Sequence, residues 1–171
     1  MVEFKKQIPN ICTLLNLSFA FFSILYVFQE DFYLASIMIL ISAFFDAFDG
    51  ILAKKLNAVS KLGKELDSLS DFVSFGLAPA IILINLSGFS TFVIVASLIF
   101  ILSSELRLAR YNVSVNSTGF EGLPTTFSGI LLSILILLNF KFDFLTNLII
   151  SLLLLILAFL QLSKFKVKRV L

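Results

Sequence analysis

Two pairs of aspartates interrupt a chain that is otherwise strongly apolar. Asp46 and Asp49 lie three residues apart, and Asp67 and Asp71 lie four residues apart. Spacings of three and four place side chains on the same face of a helix. Each pair adjoins a long apolar run, where a carboxylate costs about 2.5–3.5 kcal/mol on membrane-insertion scales. If the two helices pack against each other, the carboxylates converge at one site.

Carboxylates held this close need a partner, because they would otherwise repel one another and take up protons. Mg²⁺ and Mn²⁺ prefer carboxylate, water and phosphate oxygens. Two such ions are a recurring device for in-line displacement at phosphorus. The alternative is that these are surface carboxylates at helix ends, with Asp67 and Asp71 in the opening turns of a helix, where the dipole favours negative charge. Because a basic, glycine-bearing loop joins the two pairs, we favour the metal site.

Several kinds of chemistry are excluded by composition. The chain has no histidine, and Cys12 is its only cysteine. This excludes Ser-His-Asp and Cys-His catalysis, histidine-ligated zinc and an internal disulfide. The formal net charge of +2 is too small to indicate a nucleic-acid partner. Chemistry must therefore rely on carboxylates, hydroxyls, lysine, arginine and oxygen-bound metals.

The elements that carry the aspartates are predicted to be membrane helices. The chain is 59% hydrophobic and 14% charged, with a mean hydropathy of +1.06. A helix crosses the hydrocarbon core with about 20 apolar residues. The sequence predicts an all-α bundle of about six such helices in a single domain covering residues 1–171. The predicted spans are residues 11–28, 32–53, 66–86, 92–108, 125–140 and 145–162.

Basic residues are concentrated on one side of these spans. Of the 13 lysines and arginines, all except Lys141 fall on the same side. Positive residues favour the cytoplasmic side, so both termini and the lysine-rich loop between the second and third spans are predicted to be cytoplasmic. The first apolar run follows Lys5 and Lys6 but lacks a small-residue cleavage site. We expect a retained span of a cell-membrane protein there, and not a cleaved signal.

The spacing of the acidic loop resembles the signature of the CDP-alcohol phosphatidyltransferases. The matching positions are Asp46, Asp49, Gly50, Ala53, Lys54, Gly63, Asp67 and Asp71. Lys54 stands where the family usually has arginine, which keeps the charge but loses a bidentate fork. The segments "ELDSLSDFVSFGLAPA", "RLARYNV", "GLPTT" and "IPNICTLLNL" resemble the membrane-embedded phosphatidylserine synthases of that family. The resemblance covers the first four spans and the connection into the fifth.

This resemblance implies transfer of a phosphatidyl group from CDP-diacylglycerol or CDP-archaeol to L-serine, with release of CMP. It implies that Asp46, Asp49 and Asp67 hold two Mg²⁺ or Mn²⁺ ions, and that Asp71 both binds metal and serves as the base. Gly50 would lie against the cytidine nucleotide, and homodimers are common in the family. A serine hydroxyl is a poor nucleophile at neutral pH, so a positioned base is needed on physical grounds too.

Further residues are candidates for binding the substrates. Asn10 and Thr13 begin the first span and could contact the nucleotide, with Asn16 a weaker candidate; Asn10 could instead cap the helix. Ala53, Lys54 and Gly63 belong to the same nucleotide or CDP-lipid site, although Gly63 is also a plausible turn residue. Arg107 and Arg110 could receive the serine carboxylate or a phosphate, or could simply anchor the cytoplasmic end of the fourth span.

The polar connection after the fourth span offers groups that could select serine: Asn112, Ser114, Asn116, Thr125 and Ser128. Solvation of a loop explains them equally well. Pro124 is expected to open the fifth span at its first turn.

Two rival functions remain. One keeps the chemistry and changes the acceptor to glycerol phosphate, inositol phosphate or another alcohol. The other is a divalent-cation transporter, which would favour carboxylates near the bilayer midplane. The aspartates here lie towards one interface, which disfavours transport.

Overall fold

Helices account for nearly all of the chain that the structure, a computed structural model, describes. It describes residues 2–113, 120–163 and 166–167. The α-helices are α1 (Val2–Phe28), α2 (Phe32–Lys55), α3 (Lys61–Asp71), α4 (Ala78–Leu86), α5 (Thr91–Val113), α6 (Thr125–Phe142) and α7 (Asn147–Leu162). A π-helical segment (Phe72–Leu77) joins α3 to α4. Two-residue strands β1 (Phe120–Glu121) and β2 (Lys166–Val167) pair antiparallel. Ser114 and Asn116, proposed above as serine ligands, lie outside the described residues.

The prediction of an all-α membrane bundle is confirmed. Five stretches are long and apolar enough to cross a membrane: Gln7–Phe28, Phe32–Lys55, Lys61–Leu86, Thr91–Val113 and Thr125–Phe142. The sixth predicted span corresponds to α7, which at 16 residues is shorter than the others. Large apolar side chains such as Phe21, Phe92 and Phe159 point outward, as lipid-facing residues do. The chain is a multi-pass membrane protein.

The third span begins earlier than hydropathy predicted. Its first helix starts at Lys61, where the Ser60 hydroxyl accepts a hydrogen bond from the Gly63 backbone N–H at 3.0 Å. Gly63 therefore lies inside the first turn of a helix, and the alternative that it is a turn residue ahead of the span is wrong. Asp67 and Asp71 lie beyond the first turn of α3. The helix dipole, which acts mainly within the first turn, therefore does not account for either carboxylate.

The first helix also extends beyond its predicted limits. It begins at Val2 and contains Pro9, so Asn10 lies in the helix interior and does not cap it. The Asn10 amide instead donates a hydrogen bond to Gln7 Oε1 at 2.9 Å. Pro124 lies one residue ahead of the position predicted for it, immediately before α6 begins at Thr125.

The π-helical segment lies at the centre of the bundle. Helix α1 packs along α2, α5 packs along α7, and α6 contacts both α2 and the π-helical segment. Phe75 is completely buried and belongs to the same hydrophobic core cluster as Ile39, Phe100, Leu132 and Leu154. A Cβ at Gly129 would lie 2.6 Å from the Phe75 Cα, so α6 can approach this closely only because residue 129 is glycine. Packing around Phe75 thus fixes the segment that immediately follows Asp71.

The connection into α6 is held against the end of α7. Gly122 has a φ of +75°, and a Cβ there would lie 2.3 Å from the Gln161 carbonyl oxygen. The Leu123 N–H donates to the Leu160 carbonyl at 3.0 Å. These contacts determine where α6 begins, and with it the position of Thr125.

Candidate active site

The predicted carboxylates come together between α2 and α3. Asp46, Asp49 and Asp67 each place a carboxylate oxygen so that all three oxygens lie within 4.8 Å of one another. The Asp71 side chain, one turn after Asp67, contacts that of Asp46. Its Oδ1 is buried and has no hydrogen-bond partner among the described residues. The convergence that the spacing predicted is therefore present, while the role of each residue stays a prediction.

One carboxylate is oriented by the neighbouring helix α1. Thr13, only 3% exposed, donates a hydrogen bond from Oγ1 to Asp49 Oδ2 at 2.5 Å. Asp49 is itself 6% exposed. A carboxylate accepts several bonds, so Asp49 keeps acceptor capacity for a ligand. Thr13 therefore lies at the predicted site, and its own hydroxyl is bonded to an acidic residue.

The donor set fits divalent cations. Three carboxylate oxygens within 4.8 Å, with an unpartnered buried oxygen on a fourth residue, form a compact group of hard ligands. Like charges at this separation cannot all ionise without a compensating cation. Asp46, Asp49, Asp67 and Asp71 could thus hold a metal between two helices.

A cavity of about 500 Å³ opens between α1, α2 and α3. We call it the lysine cavity, because Lys54, Lys61 and Lys64 line it together with Asp49 and Asp67. All the residues predicted to bind the nucleotide or CDP-lipid line it as well: Asn10, Thr13, Gly50, Ala53, Lys54 and Gly63. The structure brings this entire predicted set to one place.

The two glycines of the lysine cavity have different surroundings. A Cβ at Gly50 would meet nothing within 4 Å. The space beside the α2 backbone at Gly50 is therefore open to a ligand. A Cβ at Gly63 would lie 3.1 Å from Asn10 Oδ1. Gly63 therefore lets the amide of Asn10 lie close to α3.

A second cavity, of about 520 Å³, is also lined by the carboxylates. We call it the arginine cavity, because Arg107 lines it together with Asp46, Asp71 and Thr126. Both cavities share Asp49, Gly50, Lys54, Asp67 and Tyr111. Asp49 and Asp67 thus form a wall common to both spaces, while Lys61 and Lys64 line only the first space and Arg107 only the second.

The two arginines predicted to bind an anion lie in different surroundings. Arg107 is 9% exposed and donates from Nη1 to Thr125 Oγ1 at 3.0 Å. Its Nε is buried and has no hydrogen-bond partner in the described part of the chain. Arg110 is exposed and lines neither the lysine cavity nor the arginine cavity. Of these two arginines, Arg107 is therefore the one with a buried donor that has no partner among the described residues.

Three of the polar residues predicted as possible serine ligands lie in the described part of the chain, and each is engaged in bonds within the protein. The Asn112 amide donates to Glu65 Oε2 at 3.2 Å and accepts from Ser68 Oγ at 3.1 Å, so it links α5 to α3. Thr125 is fully buried and accepts from Arg107. Ser128 donates to the Pro124 carbonyl at 3.4 Å. Their side chains hold helices together, which makes them poor candidates for selecting an acceptor directly.

The comparison with known proteins agrees with the geometry. Residues 6–162 match the family model described as CDP-alcohol phosphatidyltransferase. The chain belongs to this family. It is 34% identical over 133 residues to the CDP-diacylglycerol–serine O-phosphatidyltransferase of Bacillus subtilis (strain 168), covering 76% of this chain and 75% of that protein. It is also 34% identical over 142 residues to the Helicobacter pylori (strain J99) protein of the same name, covering 80% of this chain and 60% of the relative.

An archaeal CDP-alcohol phosphatidyltransferase relative carries a different name. The archaetidylserine synthase of Methanothermobacter thermautotrophicus is 34% identical over 137 residues, covering 78% of this chain and 59% of the relative. The present chain therefore spans about three fifths of the length of several relatives that it matches.

Some residues of this CDP-alcohol phosphatidyltransferase site were not predicted. Ser68, Tyr111 and Thr126 line the arginine cavity. A signal existed for two of them: Ser68 follows Asp67 directly, and Tyr111 lies four residues after Arg107, on the same face of α5. Lys64 lies 5.0 Å from the centre of the Tyr111 ring, which ties the two cavities together at their shared edge.

Proposed function

We propose that this chain transfers the phosphatidyl group of CDP-diacylglycerol or CDP-archaeol to the hydroxyl of L-serine. The products are phosphatidylserine, or its archaeal counterpart, and CMP. The names of the relatives support the reaction. The observation that carries the proposal is that two cavities meet at one wall of carboxylates, since a transfer reaction needs adjoining places for a donor and an acceptor.

The lysine cavity suits the CDP moiety. Lys54, Lys61 and Lys64 supply positive charge for the pyrophosphate. The open space at Gly50 lets the nucleotide approach the backbone of α2. Lys54 attracts phosphate as a point charge and does not form the bidentate fork of an arginine. The lipid tails would extend from this cavity along the outward-facing apolar side chains.

Divalent ions are the cofactor that this carboxylate set and the family imply. Asp46, Asp49, Asp67 and Asp71 would hold two Mg²⁺ or Mn²⁺ ions, which when bound neutralise charge developing on the β-phosphate and on the departing CMP.

The arginine cavity suits the acceptor. The unpartnered Nε of Arg107 is a donor for the serine carboxylate or for an oxygen of the lipid phosphate. Asp71 takes the proton of the serine hydroxyl while the oxygen of that hydroxyl forms a bond to the β-phosphorus. The bond from that phosphorus to the bridging oxygen breaks, and CMP leaves with the electron pair. In this scheme Arg110 has no direct part in binding the acceptor.

We also propose that the active site faces the cytoplasm, with both termini on that side, and that residues 1–171 form one domain that assembles as a homodimer. Lys54 and Lys55 at the end of α2, with Lys61 and Lys64 at the start of α3, support this orientation, because basic residues favour the cytoplasmic face. The donor lipid is anchored in the membrane and serine is dissolved, so a site at the inner surface is accessible to both.

The reaction is tested by measuring CMP release from CDP-diacylglycerol by the purified protein with Mn²⁺. Serine, glycerol 3-phosphate, inositol phosphate and no acceptor are compared, and CDP-archaeol is tested as a second donor. We expect release with serine and little with the phosphorylated alcohols, because Arg107 is the one arginine among the described residues that line the cavity. Release without any acceptor, or with glycerol 3-phosphate but not serine, would show that the proposed acceptor is wrong.

A further inference from the structure

A fully buried amide lies one helical turn deeper in the bundle than the carboxylates. Asn16, in α1, is 0% exposed. It follows Thr13 by three residues, so it lies on the same face of α1 as the side chain that bonds Asp49. The proposed reaction uses no atom of Asn16. Its role must therefore come from what it holds.

The Asn16 amide oxygen joins three separate elements. Oδ1 accepts a hydrogen bond from Ser42 Oγ of α2. The same oxygen accepts from Ser74 Oγ of the π-helical segment at 2.7 Å. Ser42 Oγ also lies 3.1 Å from the Asn16 backbone carbonyl. All three residues are completely buried.

Each partner of Asn16 lies one turn from a carboxylate of the cluster. Ser42 precedes Asp46 by four residues on α2, and Ser74 follows Asp71 by three. A shift of either serine would therefore move the carboxylate above it on the same face. A π-helical segment is rare and is frequently found at functional sites. Here it carries Ser74 directly after Asp71.

The network is costly for a residue that serves stability alone. Asn16 Nδ2 is buried with no hydrogen-bond partner within the described residues. A partly satisfied polar network is less stable than a well-packed apolar core. An apolar side chain of similar size would avoid that cost at the same place.

From these contacts we propose that Asn16 is a positioning residue for the carboxylate cluster. Its Oδ1 binds α2 to the π-helical segment and so sets the separation between Asp46 and Asp71. The inference rests on the proposed function, because it assumes that these carboxylates share divalent ions. Partners that orient metal ligands typically change metal affinity or activity about 10- to 100-fold when removed.

The test is the Mn²⁺ affinity of the purified protein without substrates, from the electron paramagnetic resonance signal of free Mn²⁺. Asn16→Leu removes the shared acceptor and keeps the number and branching of the side-chain heavy atoms, and we expect the Mn²⁺ affinity to fall about 10- to 100-fold. The Mn²⁺ affinity of the Ser42→Ala, Ser74→Ala double variant should also fall. Adding Asn16→Leu to that double variant should cause little further loss, because the three side chains act as a unit.

The matched control is Ser23→Ala. Ser23 is also a fully buried polar residue of α1, and its hydroxyl has no partner in the described chain. Its removal should leave Mn²⁺ affinity unchanged. Thermal unfolding of each variant, followed in the same detergent, separates a loss of affinity from a loss of folded protein.

Wild-type Mn²⁺ affinity in folded Asn16→Leu would overturn the proposal. If that variant does not fold, wild-type affinity in the double serine variant overturns it equally. Asp46→Asn is measured in parallel to separate this inference from the proposed function. If Asp46→Asn weakens Mn²⁺ binding and Asn16→Leu does not, only the positioning role fails. If Asp46→Asn binds Mn²⁺ normally, the metal site itself is wrong, and both proposals fail together.

Discussion

At the scale of single residues, the carboxylates are not equivalent. Asp49 is fixed by the Thr13 hydroxyl, whereas Asp71 keeps a buried oxygen without a partner in the described residues. Asp67, but not Asp71, belongs to the group of three whose oxygens lie within 4.8 Å. Asp71, which lines the arginine cavity and has an unused acceptor oxygen, is therefore the carboxylate suited to take a proton.

Asp71→Asn is therefore expected to lower kcat by about 10²- to 10⁴-fold, the usual contribution of general acid–base catalysis. The amide cannot accept the hydroxyl proton as a carboxylate does. Binding of the CDP-lipid should remain measurable, because the lysine cavity is not lined by Asp71. Both quantities come from CMP-release kinetics and equilibrium binding of the CDP-lipid. Asp143→Asn, which replaces the left-handed cap residue after α6, is the control. Near-normal turnover in Asp71→Asn would exclude it as the base.

Gly50 gives a second prediction at this scale. A Cβ at residue 50 contacts no protein atom within 4 Å, so Gly50→Ala should fold normally and gain up to about 1 kcal/mol from helix propensity. The methyl group projects into the space proposed for the nucleotide, so the KM for CDP-diacylglycerol should rise about tenfold, or about 1.4 kcal/mol.

The contrast for Gly50 is Gly129→Ala. A Cβ at residue 129 would lie 2.6 Å from Phe75, so this variant should lose stability before it loses substrate affinity. Thermal unfolding and steady-state kinetics measure both. An unchanged KM in Gly50→Ala would contradict placement of the nucleotide beside α2.

At the scale of helices, the site depends on contacts between segments distant in sequence. Arg107 of α5 is held by Thr125 at the start of α6, and the start of α6 is held in turn by the end of α7. Asn112 links the end of α5 to α3. Helices α5, α6 and α7, which carry none of the four aspartates, thus position Arg107 on the acceptor side.

Thr125→Val tests that support. It removes the hydroxyl that accepts from Arg107 and keeps the side-chain volume, so a buried guanidinium loses a partner at a cost of about 1–3 kcal/mol. We expect the KM for serine to rise several-fold while the KM for the CDP-lipid stays close to wild type. Ser128→Ala is the control on the same helix, because Ser128 bonds only the nearby Pro124 carbonyl. A change in the KM for the CDP-lipid alone would contradict an acceptor role for Arg107.

The helices show which parts of the site could be predicted from sequence. The convergence of Asp46, Asp49 and Asp67 follows from local helical spacing, which the sequence displays directly. The sequence does not show that Arg107 is buried and Arg110 exposed, because this depends on which face of α5 packs into the bundle. The early start of α3 was missed because a hydropathy criterion assigns the polar residues Lys61 and Lys64 to a loop. The π-helical segment and the Arg107–Thr125 bond need tertiary contacts.

At the scale of the whole molecule, the basic residues predict an orientation that can be measured. Cys12 is the only cysteine, so replacing it with serine gives a cysteine-free background. In intact cells, Lys141→Cys should react with a membrane-impermeant maleimide added from outside, and Lys61→Cys should react only after permeabilisation. The opposite pattern would place the lysine cavity on the outer face and contradict a cytoplasmic active site.

The account as a whole requires acidic residues from two helices to bind the same divalent ions. Calorimetric titration of Mn²⁺ into the purified protein with CDP-diacylglycerol tests this most directly. We expect two ions per chain for wild type, and substantially weaker binding for both Asp46→Asn on α2 and Asp67→Asn on α3. Two results would contradict the shared metal site: no specific Mn²⁺ binding to the wild type, or unchanged Mn²⁺ binding in both variants.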